Sequence, residues 1–449
     1  MTVSAGPTAQ LCDWACSTRY DDLPPEVRKQ TVTLLYDQVG AMIASATLSS
    51  CQPVVDLVRK LDSSGPCSII GHPSRSSVMN AALANGSIGH GDEVDATGQH
   101  GTGHFPATTV PTALTVGQYA GATGKDLCRA LALGSEVAAR VISVLGRYST
   151  RKQFYAGLGG TLGAAVTAGL LLGVDAEQME HALALASSGA CGLFNFHHEP
   201  LHQIKSLNHG RYAQAAVLSA MLAKDGFHGP KEVLTMENGF FDAFLGLPSA
   251  GHEVVADLNE KYLMHQIAYK RYSVGGPDQT PLYAFLELMK AHKLAAEDIA
   301  QIEVSVSRDA YSTVTTNQQA SIHMETILAL AAVYGELTFS HVHDPRYHDD
   351  PRVKAFRENT RCFIIPRLQA TTRGDRLNAS VTVRARDGRM LRQELRYPLM
   401  TEAEIKQKFR NLTGLRLDSR RVAELEEKLI GIESEPNVMN VVSALEVPY

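Results

Sequence analysis

The sequence predicts a mainly α protein built from an all-helical main domain and a smaller α+β domain. Three observations carry that expectation. Apolar residues recur at helical spacing through roughly the first 265 residues of the 449. The texture then changes near residue 266, where alternating patterns appear at 300–307 (AQIEVSVS) and 379–386 (ASVTVRAR). The turn Asp387-Gly388, followed by 389–397 (RMLRQELRY), completes a hairpin signal.

Taken in order, helices are expected at 25–45 (opened by Pro24-Pro25), 52–62, 76–88, 110–120, 125–146, 162–173, 175–188, 208–226 and 231–245. Thr123 and Asp175 are suitable caps for two of them. Residues 160–173 (GTLGAAVTAGLLLG) carry only small and aliphatic side chains with two threonines, which predicts a central helix buried on all sides. Beyond 266, helical patterns at 280–293 and 322–335 lie between the strands. Thr401-x-x-Glu404 forms a capping box for a helix to about 411, and a last helix follows at 419–430. The expected division is 1–265 with 401–449 for the helical domain and 266–400 for the α+β domain.

Composition excludes several function classes. The net charge is −5, with no run of Lys or Arg, so a nucleic-acid partner has no electrostatic footprint. The N-terminus lacks a basic segment followed by an apolar one, and no window is apolar enough to span a membrane. Seven scattered cysteines match no disulfide or zinc framework and suit a reducing, cytoplasmic setting.

The chemistry concentrates in residues 89–106 (GHGDEVDATGQHGTGHFP), between two helical runs. Asp92, Glu93 and Asp95 stand beside His90, His100 and His104 on a loop broken by five glycines. Acids and imidazoles held between rigid helices suit proton transfer. The segment Gly157–Gly163 lacks the spacing and preceding strand of a dinucleotide site; close helix packing explains it better. Lys205 opens an apolar helix, and Lys270-Arg271 at the domain junction suits a clamp on carboxylates. The group His341, His343, Asp344, His348 and Asp349 fits no standard metal spacing and reads as an exposed loop.

Together these segments resemble the MmgE/PrpD family, which includes 2-methylcitrate dehydratase, cis-aconitate decarboxylase and iminodisuccinate epimerase. The resemblance rests on the acidic/His loop, Gly121–Leu127, Gly134–Ala138, Gly160–Ala164, Lys205–Arg211, Gly226–Pro230, Gly239–Phe241 and Lys270–Tyr272. It implies a helical domain with an α+β lid and a site between them that uses neither cofactor nor metal, usually in a homodimer. Glu93-Val94-Asp95-Ala96-Thr97 stands where the family has Asp-Phe-Asp-Asp-Thr, and the loop His, the helix Lys and the lid Lys fall on His104, Lys205 and Lys270. The sequence departs from the family at Glu93 and Ala96. It also departs at Phe154-Tyr155, Asn208 and Gly275, where the family has histidines.

The resulting expectation is a hydro-lyase. It would remove a proton beside a carboxylate in a small di- or tricarboxylic acid, of 2-methylcitrate or alkylcitrate type, and eliminate water. His104, Glu93, Asp95 and Tyr155 would carry the proton chemistry. Thr97, Lys205, Lys270 and Arg271 would hold the anionic substrate. Epimerisation or decarboxylation of a related acid is the alternative. A noncatalytic metabolite-binding protein is the reading from another class.

Overall fold

The computed structural model describes residues 5–98, 103–148, 154–365 and 378–448. His100 lies outside the described residues. A mainly helical body carries a smaller α+β region. One hydrophobic core runs from Leu11 to Tyr269 and resumes from Ile405 to Val447. A second holds residues between Val274 and Val383.

The long helices follow the apolar pattern closely. Gly124–Tyr148, Gly160–Leu172 and Ala176–Gly189 occupy three of the expected stretches, the last opened by a capping box from Asp175. In Gly160–Leu172 every residue but Leu171 is buried. Its glycine serves packing: a Cβ on Gly163 would lie 2.3 Å from the Gly134 carbonyl oxygen of the neighbouring helix. Helices Pro25–Ser45 and Glu402–Thr413 pack together, with Phe409 stacked on Tyr36 at 4.1 Å between ring centres.

Two crossings position the site. Helix Val78–Gly89 packs against Gln203–Lys224. A Cβ on Gly86 would lie 2.7 Å from the His209 carbonyl oxygen, and one on Gly210 2.4 Å from that of Leu83. Only glycine permits this approach, which sets the start of the acidic loop beside Lys205 and His209. Thr97–Gly98 also pairs antiparallel with Ile267–Ala268, tying the loop to the strand that leads into Lys270.

The α+β region has a four-stranded sheet. Thr360–Ile364 forms one edge, followed by Ile299–Val306, Asn378–Ala385 and Met390–Arg396. The Asp387-Gly388 hairpin joins the last two, with Arg384 opposite Met390. Thr360–Ile364 runs parallel to Ile299–Val306.

Several expectations need correction. The helix expected at 231–245 is reduced to Phe240–Leu245, because Glu232 and Asn238 take left-handed backbone conformations at φ 56° and 59°. The helix expected from 208 begins at Gln203, so Lys205 sits in its first turn. Residues 341–349 are not an exposed loop but lie largely in two short helices, Phe339–His343 and Pro345–His348. Among the described residues, no helix is long and apolar enough to cross a membrane, and all seven cysteines are free.

Candidate active site

Glu93, Thr97, His104, Tyr155 and Lys205 line one cleft, closed on the other side by Gly275, Gly276, Pro277 and Ile322 of the α+β region. Lys270 and Asp95 stand behind this lining, both about 1% exposed. The Glu93 carboxylate lies between two ammonium groups. Lys205 Nζ donates to Oε1, and Lys270 Nζ donates to Oε2 at 2.6 Å. Burial alone would raise the Glu93 pKa, but Lys205 and Lys270 hold it well below the usual carboxylate range.

Asp95 bridges two imidazoles. Its Oδ1 accepts from His90 Nδ1 at 2.8 Å and its Oδ2 from His104 Nδ1 at 2.8 Å. An ionised carboxylate only accepts, so both rings carry their proton on Nδ1 and offer a lone pair at Nε2. For His90 that lone pair accepts from His202 Nε2 at 2.9 Å. For His104 it faces Lys205 Nζ at 3.4 Å, at the cleft wall. Asp95 thus fixes the tautomer of His104 and leaves its Nε2 lone pair at the cleft wall.

Burial holds the histidines neutral. It pushes His90 down to about 3, His104 below its ordinary value despite Asp95, and His209 well below. In the unfolded chain each takes a proton near pH 6.5. Below that pH the unfolded state binds more protons than the folded one, so stability falls as pH drops through this window. Glu93 and Asp95, both depressed, add the same sign below about pH 4. The expected result is a melting temperature that declines steadily from pH 7 to 5, each buried histidine contributing up to about 1.4 kcal/mol per pH unit. A flat scanning-fluorimetry profile over that range would show that these rings are not held neutral.

Two members of the cluster escaped the sequence reading. His202 and His209, with His90 of the acidic loop, surround His104 and Lys205, and the ring centres of His90 and His209 are 4.7 Å apart. His209 is hydrogen-bonded to Thr108 through Nδ1 and lies 3.5 Å from the Tyr155 hydroxyl through Nε2. The available signal was spacing: positions 202, 205 and 209 fall on one face of a helix. His202 also reaches Gln319 of the α+β region through Nδ1. Nearby, Asp92 accepts from Ser321 Oγ at 2.6 Å and pairs with His343 Nε2 at 3.2 Å.

Two further placements matter. Arg271 turns away from the cleft, pairing with Glu404 and lying 5.3 Å from the centre of the Tyr283 ring. The strand exit after Lys270 sends the two adjacent cations in different directions. Asp278 is fully buried, and among the described residues no hydrogen-bond partner reaches its carboxyl oxygens from another side chain. Burial and nearby Glu93 push its carboxyl well above the usual range. A Cβ at Gly275 would lie 2.6 Å from its Oδ2, so Asp278 occupies the space an imidazole at 275 would need.

His90, Glu93 and His202, and His90, Asp95 and His104, each bring three ligand-type atoms within 4.8 Å of one another. Both sets are already engaged, Glu93 by two ammonium groups and Asp95 by two imidazole N–H donors. A divalent ion there would meet Lys205 and Lys270 at close range.

Residues 9–252 match the MmgE/PrpD N-terminal domain and residues 272–430 the MmgE/PrpD C-terminal domain. The chain belongs to the MmgE/PrpD family. Among its relatives is the cis-aconitate decarboxylase-like protein oryM of Aspergillus oryzae, 23% identical over 98% of this chain and 97% of that protein. A cis-aconitate decarboxylase of Aspergillus terreus is 23% identical over 99% of this chain and 96% of its own length. The human cis-aconitate decarboxylase is 25% identical over 56% of this chain and 53% of its own. Within this MmgE/PrpD chain, the cleft lies where residues from both matched segments meet: Glu93, His104 and Lys205 from the first, Gly275 and Ile322 from the second.

Proposed function

We propose that the chain is a cofactor- and metal-independent lyase that decarboxylates a β,γ-unsaturated polycarboxylate of the cis-aconitate kind. The observation that carries this reading is the Lys205–Glu93–Lys270 arrangement beside the Nε2 of His104 in one cleft. The names of the full-length relatives favour carbon dioxide loss over water loss, the reaction the sequence pointed to first. The helical domain of 1–265 and 401–449 would form the floor of the site, and the α+β domain of 266–400 its lid. The two separate cores support that division.

In this mechanism the two ammonium groups take up substrate carboxylate charge, which lowers the cost of gathering anions in a buried cleft. Thr97 would hydrogen-bond one carboxylate. The arriving negative charge raises the proton affinity of His104, so a proton is taken up at Nε2 on binding. The bond between the substrate methylene and its carboxylate then breaks. Its electron pair forms a new double bond to the neighbouring carbon. The pair of the old double bond takes the proton from His104 at the far carbon, and carbon dioxide leaves.

Tyr155, whose hydroxyl lies 3.5 Å from His209 Nε2, is the other candidate donor of this single proton. Its role is tested by Tyr155→Phe, which should lower kcat about 100-fold with KM nearly unchanged. Wild-type turnover in that variant would reduce Tyr155 to a packing residue. Metal independence is tested separately. Activity should survive exhaustive chelation, because Lys205 and Lys270 already provide the positive charge. Loss on chelation with recovery on one divalent metal would redirect attention to His90, Glu93 and His202.

A further inference from the structure

Residues outside the cleft lining hold the backbone that carries Glu93, Asp95 and Lys270. Lys408, on helix Glu402–Thr413, donates from Nζ to the Val94 carbonyl at 3.1 Å and to Asp37 Oδ1 at 2.7 Å. Val94 lies between Glu93 and Asp95, so this bond fixes the peptide that joins the two acids. The side chains of Lys408 and Asp37 are 9% and 2% exposed. The Val94 side chain enters an apolar cluster with Ala41, Ala44 and Leu412, so helices Pro25–Ser45 and Glu402–Thr413 grip this residue by side chain and backbone together. Gln38, next to Asp37, donates to the Gly89 carbonyl at 2.7 Å where the loop begins.

Lys270 is held in the same manner. The Tyr397 hydroxyl donates to the Tyr269 carbonyl at 3.2 Å and accepts from the Arg271 N–H at 2.9 Å, so it spans the backbone on both sides of Lys270. Glu404 takes the Arg271 side chain. Glu404 and Lys408 stand four apart on one helix, so one helix face reaches both flanks of the Glu93–Lys270 pair. A buried ion pair adds little stability over apolar residues of the same size. Stability alone therefore does not account for Asp37–Lys408, whereas a fixed place for the Val94 carbonyl does.

We propose that Lys408 and Tyr397 are positioning residues: Lys408 sets where Glu93 and Asp95 point, and Tyr397 sets where Lys270 points. This rests on the roles given above to those three residues.

The test compares Lys408→Met with the double variant Lys408→Met/Asp37→Asn. The single change strands a buried carboxylate and should lower the melting temperature by several degrees. The double change also removes that charge and should recover most of the loss, while the Val94 carbonyl still lacks its donor. The double variant should then melt close to wild type yet turn over cis-aconitate about 10- to 100-fold more slowly, because a small misplacement of the acid/base groups suffices for that. Imidazole nitrogen NMR spectra, taken well below the melting transition, should show His104 as a mixture of tautomers where wild type shows Nδ1–H alone. This readout needs no turnover, so it decides the role of Lys408 whichever reaction the cleft performs. Tyr397→Phe keeps the ring and loses one hydrogen-bonding oxygen. It should weaken succinate binding, measured by calorimetry, about fivefold, with the Lys408→Met/Asp37→Asn variant staying within about twofold of wild type. Wild-type kcat and a single His104 tautomer in the double variant would overturn the role of Lys408 and leave its ion pair as packing. Unchanged succinate affinity in Tyr397→Phe would overturn the role of Tyr397.

Discussion

Glu93→Ala should be the most damaging single change to stability in this cleft. Lys205 and Lys270 are 6% and 1% exposed and both donate to the Glu93 carboxylate. Removing that carboxylate leaves two buried ammonium groups without the acid both donate to, and Asp95 nearby offsets them only in part. Breaking a buried pair from one side costs about 3–5 kcal/mol. The variant should melt several degrees below wild type. The vacated seat is a ready-made carboxylate site, so millimolar succinate should raise its melting temperature more than it raises that of wild type. An unchanged melting temperature, or no response to succinate, would show that the two lysines do not depend on an anion at this point. Rescue by succinate would make Glu93 an internal stand-in that keeps the lysines paired until substrate displaces it.

Asp95→Asn should be the most damaging change to turnover. The carboxylate accepts from two imidazole Nδ1–H groups at 2.8 Å. A carboxamide offers one oxygen and one NH2, so one ring must switch tautomer to accept from the NH2. If His104 switches, its Nε2 presents a hydrogen to Lys205 instead of a lone pair, and the two donors oppose each other. Replacing the orienting carboxylate of an acid/base histidine by its amide costs about 10⁴-fold in kcat where it has been isolated. A loss of about 10³–10⁴-fold in kcat with a fold close to wild type is expected here. Turnover within a few fold of wild type would mean that His104 needs no orientation from Asp95.

Much of the fold was legible because long helices repeat their apolar signal many times. The helix expected at 125–146 is Gly124–Tyr148, and the buried helix at 160–173 is Gly160–Leu172. Local turn chemistry gave the hairpin at Asp387-Gly388. What was not legible depends on distant pairing. Thr97–Gly98 and Ile267–Ala268 are too short to show a period, yet their ladder brings Lys270 to Glu93. Thr360–Ile364 alternates buried and exposed positions over only five residues, and its partner lies far back in the sequence. Helix Pro7–Ser17 also went unread.

The site divides the same way. Glu93, Asp95, Thr97, His104, Lys205 and Lys270 could be named from the family pattern, which carries spatial information that residue types alone do not. His202 and His209 join the cluster only because Gly86 and Gly210 let two helices approach closely. Arg271 was named on its adjacency to Lys270, but successive residues of an extended segment face opposite ways, and this one meets Glu404.

The reaction itself is decided most directly by incubating the protein with saturating cis-aconitate in deuterated water and following carbon dioxide and product by mass spectrometry and NMR. The proposal predicts carbon dioxide release, one deuterium in each product molecule at the carbon that accepted the proton, and loss of both signals in Asp95→Asn. Gain or loss of water, or deuterium exchange into cis-aconitate, without any carbon dioxide would contradict it and return the chain to the dehydratase or isomerase reading.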